Sequence, residues 1–170
     1  MESRVKLLGH PVHQMLIVFP LGLLGTSVVF DVIRLASDAG YAGTVAFALI
    51  ASGIVGGLLA APFGVVDWLA IPAGTRARSI GALHGAGNVV VLVLFAVSLW
   101  LRRGQIEQPP AAAWLVSFCG AAISLVTAWL GGELVDRLGI GVSPHAHVDA
   151  RSSLDGPAEP RDRSAQPRSA

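Results

Sequence analysis

Imidazole is the most versatile chemistry that this chain carries in or beside its apolar stretches. His10 and His13 bracket Pro11 and Val12 just ahead of one apolar run, and His84 stands one helical turn before Asn88 inside a later one. Histidines from different helices at one depth are the minimum for bis-imidazole ligation of a b-type haem, and with Asp67 or Glu133 as oxygen donors they would also suit zinc or copper. The same groups could form a proton or ion path, since chains of ionisable residues mark such routes in membranes. They could equally form a satisfied hydrogen-bond network that ties helix ends together, with function supplied by a partner. Residue types and spacing leave these alternatives open. His13 and His84 are the candidate ligands with His10 in reserve, and Asp67, Asn88 and Glu133 are the candidate polar groups beside them.

The elements that must position these side chains are membrane-spanning helices. Of the 170 residues, 53% are hydrophobic and 14% charged, whereas a soluble domain carries about 25% charged residues; the mean hydropathy is +0.64. The apolar material falls into four stretches, about 13–35, 41–69, 80–101 and 111–136, each long enough for the roughly 20 residues that cross a hydrocarbon core. The expected fold is all-α, a four-transmembrane-helix bundle over residues 1–142, followed by a polar, proline-containing tail over 143–170 that is expected to be disordered. The second stretch is longer than a span needs, so tilt or a kink at Pro62 is expected.

A helical rise of about 1.5 Å per residue gives each polar group a depth. His13, Asp67, His84 and Glu133 all fall near one interface, and Asp31 falls at the other, where a local pair with Arg34 is expected. The first interface holds Arg4, Lys6, Arg76, Arg78, Arg137 and Arg151, against Arg34, Arg102 and Arg103 at the second. That imbalance is expected to place both termini on the cytoplasmic side. Trp68, Trp100 and Trp114 suit interfacial belts, and Trp129 suits packing in the bundle or against lipid. The pairs Gly53/Gly57 and Gly81/Gly85 allow close helix approach, within the bundle or with a second copy. Cys119, the only cysteine, reads as a small core residue and rules out an internal disulfide.

Several function classes are disfavoured. The net charge of +1 without a basic cluster does not suit nucleic acid. No H-E-x-x-H, G-x-x-x-x-G-K-[ST] or G-x-S-x-G pattern is present, which disfavours hydrolytic and nucleotide chemistry.

An ordered series of landmarks resembles one family. It comprises Gly9-His10-Pro11-Val12-His13 running into Phe19-Pro20, Asp31, Gly64 to Asp67, His84 with Asn88, Gly131-Gly132-Glu133-Leu134-Val135 and Gly139-Ile140-Gly141-Val142. Together these resemble a bacterial membrane family known as domain of unknown function 2231, over residues 9 to 142. Gln14 stands where the family has a second proline. The resemblance implies a four-helix integral membrane domain, sometimes joined to a Rieske-type iron–sulfur domain, and hence a redox neighbourhood. This chain lacks the paired Cys and His ligands of a Rieske centre. The leading expectation is a redox-associated module that binds haem b through His13 and His84 near the cytoplasmic face. Its expected partners are the bilayer and a redox or other membrane protein, with a second copy of the chain as a further candidate.

Overall fold

The computed structural model describes residues 1–155. A short hairpin opens the chain, β1 (Lys6–Leu7) pairing antiparallel with β2 (His10–Pro11). Its turn residues Leu8 and Gly9 have φ of 51° and 85°, the doubly positive arrangement of a tight hairpin turn that a glycine makes accessible. Five helical segments follow: α1 (Val12–Leu16), α2 (Val18–Ser37), α3 (Gly40–Ala70), α4 (Arg76–Leu101) and α5 (Ala111–Gly132), the last continued by a π-helical turn, Glu133–Arg137. Among the described residues four helical stretches are long and apolar enough to cross a membrane, with α1 and α2 together forming the first. The break between α1 and α2 has a local cause. Pro20 has no N–H to give to the carbonyl four residues earlier, so the ladder is interrupted there. Of the tail expected to be disordered, residues 143–155 are turns and irregular chain, and 156–170 lie outside the described residues.

Lipid removes most of the hydrophobic force between helices, so close packing must hold the bundle. Large apolar side chains such as Leu58, Leu59, Leu125 and Val126 point outward, while Leu24, Ile50, Val91 and Phe95 meet at the centre. Gly53 and Gly57 let α3 touch both neighbours: an added Cβ would lie 2.6 Å from Leu24 Cδ2 of α2 at Gly53 and 2.7 Å from Leu92 Cδ2 of α4 at Gly57. This pair therefore packs inside the bundle. At Gly81 an added Cβ would lie 2.8 Å from Trp68 Cδ1, whereas Gly85 faces open space. The helices form two tight pairs, α2 with α3 and α4 with α5, joined through α3 and α4; α2 and α5 meet only sparsely.

The end of the bundle away from the histidines is pinned by a buried ion pair. Arg102, at the C-cap of α4, gives two parallel hydrogen bonds to Asp31 of α2 at 2.7 and 2.6 Å, and both side chains are fully buried. Its remaining donors reach Ser98 Oγ and Ser117 Oγ, each at 3.2 Å. The expected local pair of Asp31 with Arg34 is not formed. Arg34 instead gives hydrogen bonds to Asp38, one turn on, and to the backbone carbonyl of Glu107. A buried carboxylate demands several donors at once, and Arg102, framed by two serines, supplies a planar fork. A second correction concerns Cys119, which lies on the outer surface rather than in the core. Trp129 and Trp100 are exposed on the outer surface, which for Trp129 selects the lipid side of the two expected placements.

Candidate functional site

The histidine end is built from backbone carbonyls and glycines. His13 Nδ1 lies 3.0 Å from the Ala60 carbonyl of α3, and His84 Nδ1 lies 2.8 Å from the Thr127 carbonyl of α5. A carbonyl only accepts, so each neutral ring must carry its proton on Nδ1, leaving Nε2 as an acceptor. Each imidazole sits in a notch beside a glycine, where an added side chain would crowd the ring. An added Cβ at Gly64 would lie 2.8 Å from His13 Cε1, and one at Gly131 would lie 3.1 Å from His84 Cε1. The two rings thus bridge helix to helix, His13 from α1 to α3 and His84 from α4 to α5.

The two Nε2 atoms differ. Asn88 Nδ2 donates to His84 Nε2 at 3.0 Å, which occupies that lone pair. His13 Nε2 has no partner among the described residues. Both rings line one cavity of about 150 Å³, whose floor includes Asn88 and the buried Val91 of α4. The lining residues exposed at the surface are Ile17, Leu21, Gly25 and Ala128. These lie on the first span and on α5, so the mouth is the sparse seam between α2 and α5. Gly25 is about 18 Å along the helix from His13, so the mouth extends well into a hydrocarbon core roughly 30 Å thick.

The other expected site residues are placed elsewhere. Asp67, near the end of α3, accepts from Ser3 Oγ at 2.8 and 2.7 Å and from the Arg4 backbone N–H at 2.7 Å, which straps the N-terminal segment across this end of the bundle. In the same strap Lys6 is 2.6 Å from the Glu2 carboxylate, and its hydrogen bond holds that carboxyl below its ordinary pKa. Glu133 pairs with Arg76 at 2.6 Å. His10 is exposed on the hairpin, 3.3 Å from Ser153 Oγ. Trp68 and Arg78 lock the turn between α3 and α4: the guanidinium lies 3.8 Å from the ring centroid, and Trp68 Nε1 donates to the Arg78 carbonyl at 3.0 Å. Gly64, Gly131 and Gly25 and the carbonyls of Ala60 and Thr127 were not singled out for this site by residue chemistry. Only the glycine-to-aspartate run ending at Asp67 and the Gly131-Gly132 pair hinted at such notches.

The arrangement does not fit a haem on His13 and His84. The cavity of about 150 Å³ is half the roughly 300 Å³ at which cofactor pockets begin, and the His84 lone pair is already bonded to Asn88. Among the described residues, no three His, Cys, Asp or Glu side chains converge as a metal donor set.

Four membrane-spanning helices with an internal polar site at one end define a polytopic integral membrane protein. A family model described as predicted membrane protein, DUF2231, matches residues 9–144. The chain belongs to this family. Comparison with curated proteins and with solved structures gave no match.

Proposed function

We propose that this protein is a membrane-embedded binding module, whose cavity between the two helix pairs takes up a small neutral molecule from the hydrocarbon phase. The observation that carries this reading is His13 Nε2, an imidazole lone pair without a partner among the described residues, on a ring lining a largely apolar cavity that opens between α2 and α5. That lone pair is open to the cavity rather than sealed in protein, so a ligand donor that reaches it gains a hydrogen bond. A haem on the same histidines would require Asn88 to release His84 and the helices to part around a much larger group. Binding in the cavity as it stands requires neither. The cation imbalance supports a cytoplasmic location for the histidine end. Ser143→Cys in a Cys119→Ser background should then react with an impermeant maleimide only in inverted vesicles; labelling in right-side-out vesicles would reverse the orientation.

The binding reading is tested by benzene, a neutral ring of about the size such a cavity admits. Wild-type protein in nanodiscs should bind it saturably, at one site. Gly25→Leu should abolish that binding, because Gly25 lines the mouth and an added Cβ there meets nothing within 4 Å, so the position accepts a bulky side chain that obstructs entry. Binding that is unsaturable, or unaffected by Gly25→Leu, would refute the reading.

A further inference from the structure

The free polar atoms of the cavity narrow the ligand class, an inference that rests on the binding reading above. His13 Nε2 accepts. Ser124 and Thr127 have already committed their hydroxyl protons to the carbonyls of Ala121 and Ser124, at 2.7 and 3.0 Å, and so have no proton to offer a ligand. Asn88 uses one amide hydrogen on His84, which leaves its carbonyl oxygen and its second N–H. What little polar surface the lining has therefore accepts rather than donates, apart from one Asn88 N–H. It contains no Lys or Arg to hold a carboxylate or phosphate, and no Asp or Glu to hold a cation. A neutral molecule that donates a hydrogen bond is what remains.

Size and access supply the rest. A cavity of about 150 Å³ matches the volume at which an apolar protein cavity accommodates a single benzene ring. The mouth at Leu21, Gly25 and Ala128 opens on the outer surface of the first and fourth apolar spans, so in a bilayer an apolar substituent can trail into lipid. We infer that the cavity is the head-group site of a lipid-soluble phenol: the ring lies against Val91 and Leu92, and the hydroxyl donates to His13 Nε2. The Ala60 carbonyl fixes the His13 tautomer, so the ring meets the ligand as an acceptor without rearrangement. Gly64 keeps the imidazole in that orientation.

The test compares p-cresol with 4-fluorotoluene, rings of nearly equal size of which only the first donates a hydrogen bond. Binding to protein in nanodiscs is measured by equilibrium dialysis, with Gly25→Leu protein in the same nanodiscs subtracting lipid partition. The expected result is one saturable site, with p-cresol about tenfold tighter than 4-fluorotoluene, and a preference that disappears in His13→Phe. Because His13→Phe could disturb folding, the wild-type protein gives a second readout: p-cresol, and not 4-fluorotoluene, should shift the His13 Nε2 nitrogen-15 resonance. Equal binding of the two compounds, or an unmoved Nε2 resonance, would overturn the phenol assignment and leave the cavity reading standing. Saturable binding of neither would overturn both.

Discussion

Replacing Arg102 with methionine should destabilise the bundle more than almost any other single change, and replacing Asp31 as well should restore most of the loss. Two unit charges about 4 Å apart attract by roughly 4 kcal/mol at an effective dielectric near 20, while burying each ion costs several kcal/mol. The pair therefore stabilises the fold little compared with apolar residues, but each charge depends on the other. In Arg102→Met, Asp31 loses both hydrogen bonds in a site with no exposure to solvent, and breaking a buried pair in this way costs about 3–5 kcal/mol. Asp31→Leu leaves a guanidinium held only by Ser98 and Ser117, and a similar loss of about 3–5 kcal/mol is expected. In the double variant both charges are gone. The serines keep their bonds to each other and to the Ala113 carbonyl, so the net loss should be under about 2 kcal/mol. The assay is reversible unfolding in mixed micelles of dodecyl sulfate and a neutral detergent, followed by far-ultraviolet circular dichroism across the four proteins. A coupling energy of about 4 kcal/mol or more is expected. Losses that add to within about 0.5 kcal/mol would show that the two residues do not act as a pair and would refute the reasoning.

Other consequences are as specific. Gly64→Ala places a methyl group against His13 Cε1, and the ring must tilt away from the Ala60 carbonyl; a loss of about 1–3 kcal/mol together with weakened benzene binding is expected, and an unchanged melting temperature would show that α3 gives way instead. Trp114→Phe removes the buried Nε1 that has no partner among the described residues, so thermal stability should hold or rise. A drop of more than about 1 kcal/mol would reveal a partner for that N–H.

Much of the architecture was readable in the chain, for physical reasons. Each span is a predominantly apolar run with its charged residues toward the ends, and a helix is the simplest way to satisfy its backbone in lipid. The bond between His84 and Asn88 follows from a spacing of four on one helix. The partners of His13 and His84 were not readable, because they are backbone carbonyls, which every residue carries. Nor was Asp31 with Arg102. An arginine at a span end ordinarily reaches outward to the interface, and the spacing of Ser98 to Arg102 along one face of α4 was the one hint that this arginine turns inward. Asp67 has the residue type of an imidazole partner, yet its geometry serves the N-terminal strap, which contributes Ser3 and Arg4 from 64 and 63 residues away. Local pattern carries no information about pairings of that range.

The binding account stands on the state of a single nitrogen. Nitrogen-15 NMR of histidine-labelled protein in lipid bilayers, with His13 assigned by substitution, reads that state directly. The expected spectrum places the His13 proton on Nδ1 and leaves Nε2 bare, with a resonance that moves when p-cresol fills the cavity and stays in place when benzene does. A proton on Nε2 in the free protein would contradict the binding reading, and a resonance unmoved by p-cresol would contradict the phenol assignment.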